Sequence, residues 1–235
     1  MNAPPPTTID CAQLTASDLA GQLRALPDET VVKLLGYRPQ PGSAGLCSGL
    51  AHHLTIEVDG NVGDMCFFIG SEAHVEVKGN AGNNLGHSMT SGGITVHGNA
   101  GHSLAAFASG GFVAVLGQAG ERCAQGLCGG DVFVRSRVGQ QAGYAMRSGT
   151  LVLGNGAGKG LGEAMTGGEI YVRGEVSSKP DSLRQERMRD ADSLRLTLFL
   201  ARAGIKATPG EFKVFRPRTS DALGTTPLDA SGAKS

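Results

Sequence analysis

The chain has 235 residues, and its 21 Lys+Arg balance its 21 Asp+Glu to a formal net charge of zero. That balance argues against a general nucleic-acid or anionic-membrane binder, and no apolar run approaches the roughly 18 residues of a spanning helix. Glycine reaches 37 residues, far above the usual ~7 %, and tryptophan is absent, so the core must be built from small and aliphatic side chains.

Residues 1–50 differ in kind from the rest of the chain. MNAPPPTTIDC lacks the basic and apolar regions of a secretion signal. The five cysteines (Cys11, Cys47, Cys66, Cys123, Cys128) show no paired spacing, and a reduced, cytoplasmic setting is expected. TASDLAGQLRALP reads as a helix, with Thr15 and Asp18 as a capping-box-like start and Leu19, Leu23 and Leu26 on one face before Pro27. ETVVKLLGY (29–37) fits a strand or a short helix, and its β-branched pair favours the strand. RPQPGSAG is loop. The segment is expected to cap the first coil of the repeat region beyond it.

Residues 51–178 repeat at a step of 19. One column holds Gly63, Gly82, Gly101, Gly120, Gly139 and Gly158. A second holds Gly92, Gly111, Gly130, Gly149 and Gly168, the latter member of a GG-like pair. Strand columns run Val75, Ile94, Val113, Val132, Leu151, Ile170 and Val77, Val96, Val115, Val134, Leu153, Val172. A small-residue column runs Gly86, Ala105, Ala124, Gly143, Gly162. Of the 37 glycines, 28 fall between Gly60 and Gly174. Each unit is a short strand bracketed by turns at positions that want positive φ or close backbone approach. A single unit cannot bury its own apolar face, but stacked units at ~4.8 Å can. The expected fold is all-β: a right-handed parallel β-helix of about seven coils, with an N-terminal cap and a C-terminal helix. A phosphate cradle is the competing reading of the repeated GNAG. GNGAGKGLG lacks the dinucleotide spacing, however, and a P-loop would need Gly where Leu153 stands and Ser or Thr where Gly160 stands.

Residues 179–215 predict a helix and a strand. Asp190 or Asp192 would cap the helix. Leu194, Leu198 and Ala201 form one stripe, with Leu196, Phe199, Leu200 and Ala203 beside it, and Gly204 is the stop. The helix either caps the last coil or docks a partner subunit. EFKVF (211–215) reads as one more strand, and 216–235 as a disordered tail.

Side chains that would carry chemistry are sparse. Cys123 and Cys128 have no matching histidine pair for zinc, and Cys66 and Cys123 share a column with Leu85 and Leu104, as buried small hydrophobes would. Acids inside the repeat form no in-register pair beyond Glu57 and Glu76, so a carboxylate dyad is not evident. His87 and His102 are 15 apart, out of step with the repeat, and read as exposed turn histidines. Asn83, Asn84, His87 and His102 sit on the turn side of successive coils. Together with Leu198 and Phe199 they are the expected partner contacts.

The repeated VxGNAG…GG…I-x-V-x-G coils resemble the GXGXG domain, the C-terminal β-helix of the glutamate synthase large subunit, over about residues 50–178. GEAMTGGEIYVRGEV (162–176) resembles its last coil, and RLTLFLARAGIKATPGEFKVF (195–215) the segment after it. A short chain of this type is similar to the stand-alone third component of N-methylglutamate synthase and related systems. One of the subunits of formylmethanofuran dehydrogenase, and its counterpart in the formyltransferase/hydrolase complex, share the repeat. The resemblance implies a scaffold without catalytic, cofactor or metal residues of its own. Its partners would be a glutaminase-type amidotransferase and an FMN-dependent synthase-like subunit carrying FMN and an iron–sulfur cluster, with no nucleic acid or membrane partner. Residues 177–184 read SSKPDSLR where N-methylglutamate-type members tend to read SLGADC, which leaves the reaction of the complex open. A self-sufficient β-helix enzyme or sugar-binding module is the alternative from another class.

Overall fold

The computed structural model describes residues 6–39 and 45–218. A short strand, β1 (Thr7–Asp10), leads into helix α1 (Ala16–Arg24). The capping box read from the sequence is present. Thr15 Oγ1 accepts from the Asp18 N–H at 3.1 Å, and the Asp18 carboxylate accepts from the Thr15 N–H at 3.2 Å. Leu19 and Leu23 on the inward face are buried. The next segment is a strand, β2 (Val31–Leu35), with Val32 and Leu34 inward.

Seven strands then stack in parallel: β3 (Thr55–Val58), β4 (His74–Val77), β5 (Gly93–Val96), β6 (Phe112–Val115), β7 (Cys128–Val134), β8 (Ser148–Leu153) and β9 (Glu169–Val172). Over their last four residues the register follows the repeat, Thr55 facing His74, then Gly93, Phe112, Asp131, Thr150 and Glu169. A parallel bridge ladder through Val62, Ala81, Ala100, Ala119, Val138, Ala157 and Val176 forms a second wall. The repeat therefore makes six full turns between seven strands, one fewer than expected. Inward residues form continuous columns, among them Ile56, Val75, Ile94, Val113, Val132, Leu151 and Ile170, all within one core.

The two glycine columns have different causes. Gly92, Gly111, Gly130, Gly149 and Gly168 have φ between +81° and +92°, a region closed to most L residues. The other column is set by space between coils. A Cβ on Gly120 would sit 2.9 Å from the Gly101 carbonyl carbon, and one on Gly158 2.7 Å from that of Gly139. The asparagines of GNAG close the same corner: Asn61 Oδ1 accepts from the Asn80 N–H at 2.7 Å, and Asn80 Oδ1 from the Asn99 N–H at 2.8 Å. Each coil hands one donor to the coil before it.

The third wall is a ladder of turns. In one coil Ser103, Ala105 and Phe107 have φ of 57°, 51° and 56°. Alternate N–H groups then point to opposite neighbours, Ser103 to the Glu121 carbonyl, Ala105 back to Leu85 and Phe107 on to Gln125, each at 2.8 Å. The small-residue column supplies left-handed backbone here as well as a narrow interior.

Both ends differ from expectation. Residues 1–50 do not simply cap the solenoid, because β1 and β2 continue its sheet in parallel. Val31 pairs with Thr55 at a step of 24, and Gly45–Leu50 build the matching turn wall, with the Phe67 N–H bonded to the Leu46 carbonyl. The solenoid thus begins before residue 51 with an irregular coil, and α1 covers its end. At the other end the chain forms β10 (Leu183–Glu186), helix α2 (Asp190–Arg202) and β11 (Lys213–Pro217). β11 pairs antiparallel with β9, and β10 with β11. Leu183 and Phe215 join the solenoid core, so strands rather than the helix close the last coil.

Helix α2 lies across the outer face of the sheet. The outward column reads Glu57, Glu76, Thr95, Ala114, Phe133, Val152, Tyr171, polar in the first coils and apolar in the last. Leu196, Phe199 and Leu200 cover the apolar half. The helix is capped at Arg189, not at Asp190 or Asp192; the Arg189 N–H donates to the Asp192 carboxylate at 2.9 Å. Gly204, at φ 69°, ends it as expected. Arg216 and Pro217, assigned from sequence to the disordered tail, belong to β11, and Arg218 donates its N–H to the Ser182 carbonyl. Residues 219–235 of that assignment lie outside the described residues.

Candidate interaction surfaces

The turn wall carries four of the residues singled out from sequence. Asn83 and His102 are tied into the corner ladder. The Asn83 N–H donates to Asp64 at 2.7 Å, Asn83 Oδ1 accepts from the His102 N–H at 2.8 Å, and His102 Nδ1 accepts from the Glu121 N–H at 3.1 Å. Asn84 takes a left-handed turn position. His87 is half-buried rather than exposed, its ring 5.4 Å from both Phe68 and Phe107. Burial between the two rings holds its pKa below the ordinary value, and Ser88 Oγ lies 2.8 Å from its Nδ1.

Around His87 the wall is apolar and exposed. Ile69 is 54 %, Phe107 48 % and Met65 38 % accessible, and all three sit at left-handed φ between 52° and 56°. Such a conformation costs a bulky or β-branched residue roughly 1–2 kcal/mol. At the column of Ile69 and Phe107 the other coils place Ser88, Gly126, Ala145 and Ala164. The fold is thus served by small residues there, and in two coils it carries large apolar ones that bury little. This patch was only partly readable: the backbone conformation that makes Ile69 costly cannot be seen in sequence.

The helix candidates separate. Phe199 points inward, its ring 5.5 Å from Phe112 and 6.3 Å from Phe133, and is not available to a partner. Leu198 and Leu194 are each 64 % exposed.

The groups that could carry chemistry are individually accounted for. Cys66 and Cys123 are enclosed in the core, where burial pushes their thiols up to about 12. Glu57 and Glu76 are neighbours in register on the outer face. Glu76 bonds Lys78 and, at 2.7 Å, His97, and these partners hold its carboxyl below the ordinary range. A cleft of about 290 Å³ beside it is lined by His74, Thr95, Phe112 and Arg202. Among the described residues no three His, Cys, Asp or Glu side chains gather as metal ligands, and no helix is long and apolar enough to cross a membrane.

A family model described as the GXGXG motif matches residues 43–188, more than half of the chain. The chain belongs to the GXGXG family. Its match begins before residue 51, in keeping with the extra coil at the N-terminal end. The corner glycines, the asparagine ladder and the left-handed turn wall are the physical content of the GXGXG repeat in this molecule. A search of curated proteins returns no match. Among solved structures, the GXGXG chain is similar to a chain of the formyltransferase/hydrolase complex (FhcABCD) from Methylorubrum extorquens, determined with methylofuran. The TM-score is 0.64 at 20 % identity, over 86 % of each chain. At that identity the likeness is one of fold.

Proposed function

We propose that this GXGXG chain is a scaffold subunit of a multi-subunit enzyme complex and contributes surfaces rather than reacting groups. The observation that carries the reading is the patch around His87, where Met65, Ile69 and Phe107 expose large side chains from strained backbone. Strain kept without a packing return belongs to surfaces that work. Two versions of the complex are supported by different observations. The repeat resembles that of glutamate synthase, and in that version the partners are a glutaminase-type amidotransferase and a synthase-like subunit holding FMN and an iron–sulfur cluster. The similarity across 86 % of both chains to one chain of a formyltransferase/hydrolase complex favours the other version, a one-carbon formyl-transfer assembly. In either, the setting is cytoplasmic and the partners are proteins, not nucleic acid or membrane.

The test is affinity purification of the tagged chain from its host, wild type beside Ile69→Ser and Phe107→Ser, with co-purifying proteins identified by mass. Recovery of amidotransferase and synthase-like proteins, or of formyltransferase subunits, names the complex. The serine variants are expected to fold and to lose at least one partner. A wild-type chain that purifies alone and turns over a substrate by itself would overturn the scaffold reading.

A further inference from the structure

Helix α2 has two opposed apolar seams. Leu196, Phe199 and Leu200 pack on the sheet. Ala191, Leu194, Leu198 and Ala201 recur at steps of three, four and three on the opposite side, the spacing of a coiled-coil seam. Leu194 and Leu198 are the most exposed large apolar residues among those described. One edge of the outer seam is basic. Arg195 and Arg202 lie one heptad apart, and the body of the protein fixes both. Arg195 Nη1 donates to Glu169 at 2.7 Å, and the Arg202 guanidinium lies 4.2 Å over the Phe112 ring. The segment 179–218 that supplies α2 holds ten Lys and Arg against five Asp and Glu, an excess hidden by the neutral total.

We propose that this face docks an amphipathic helix of a partner protein, with an apolar seam that covers Leu194 and Leu198 and carboxylates that meet Arg195 and Arg202. The inference rests on the scaffold reading and gives one of its surfaces a partner chemistry. Charge complementarity decides against a second copy. Two α2 helices laid antiparallel on this seam would bring Arg195 against its own symmetry mate. Helix-in-groove recognition of this kind sets affinity through the apolar anchors and partner choice through the flanking charges.

The test uses the full chain and a short lactam-stapled helical peptide with leucines along one face and glutamates beside them. A second peptide carries lysines in place of the glutamates. Fluorescence anisotropy is expected to show the acidic peptide binding at least tenfold more tightly, with affinity falling as salt is added. Leu194→Glu combined with Leu198→Glu should lose at least tenfold. Arg202→Glu should lose about two- to five-fold, the range of an exposed ion pair. All variants should keep the wild-type unfolding midpoint, since these side chains are outside the core. Equal binding of both peptides, no binding of either, or a concentration-dependent dimer that excludes the acidic peptide would each overturn the proposal. The purification above reads separately, so failure here leaves the scaffold reading standing on its own result.

Discussion

At Gly120 what excludes a side chain is room rather than torsion. The residue does not need positive φ, yet a Cβ there would press on the backbone of Gly101 and His102 at 2.9 Å. Gly21, inside α1, has nothing within 4 Å of the same construction. The two glycines should therefore respond in opposite directions. Gly120→Ala is expected to lower the unfolding free energy by about 1–3 kcal/mol through overpacking. Gly21→Ala should raise it by about 0.5–1 kcal/mol, because alanine suits a helix interior and restricts the unfolded chain. Chemical denaturation of both variants checks this, and equal effects would show that coil-to-coil contact does not fix the glycine column. The column itself was plain in the sequence. That Gly149 is there for φ and Gly139 for space was not, since both are simply glycine until the backbone path is known. The same holds for Asn80, legible as a turn residue but not as the acceptor of the Asn99 N–H.

At the scale of elements, α2 shows how far pattern carries. Its existence, its stop at Gly204 and its two apolar stripes could all be read. Which stripe faces inward could not, because it depends on the surface the helix meets. That surface is the apolar half of the outward strand column, Ala114, Phe133, Val152 and Tyr171, and it is assembled from four coils. The consequence is measurable by urea unfolding. Phe199→Ala should cost about 3–5 kcal/mol as a buried aromatic truncation. Leu198→Ala, one residue away, should stay within about 0.5 kcal/mol. A comparable loss at Leu198 would mean that the helix is docked the other way round. The strand character of Val31–Leu35 was legible in its β-branched pair, whereas its place as a rung of the solenoid was hidden by a step of 24 that breaks the period.

Across the whole molecule, the C-terminal end is held by one cation. Arg216 on β11 donates to Glu169 on β9 at 2.9 Å, to Asp192 on α2 at 2.6 Å and to Glu186 on β10 at 2.9 Å. A solenoid couples each coil mainly to its neighbours, so the loss of this clamp should be felt locally. Arg216→Ala is expected to speed hydrogen exchange in β9, β10 and β11 while β4 and β5 keep their protection; a uniform rise would contradict the one-dimensional picture. The clamp also sets an acid limit. For Glu169, burial acts to raise the pKa, but the hydrogen bonds from Tyr171 and Arg216 and the charges of Arg216 and Arg195 prevail, and the net shift is downward. Burial of Asp192 is likewise outweighed, by the Arg189 N–H and the charge of Arg216. Depressed carboxyl pKa values give stability that is complete above the ordinary values of 4.5 and 3.8 and is lost as pH falls below them. The C-terminal strands should accordingly open first as pH drops under about 4.5.

Sequence pattern alone was enough for the period, the parallel stacking and the chemistry of the interior, because a repeat that buries one column of side chains imposes the same backbone on every coil. It also pointed to the family. The folded chain was needed to show where the coil count begins, which face of α2 is spent on the sheet, and that Arg216 is a clamp rather than the start of a tail. Those outcomes depend on residues far apart in the chain, such as Glu169 and Arg216, or Phe133 and Phe199, and no local pattern records that they meet. The surface at His87 falls between the two. Its residues were legible, but the strain that marks it as more than a turn exists only in the folded backbone.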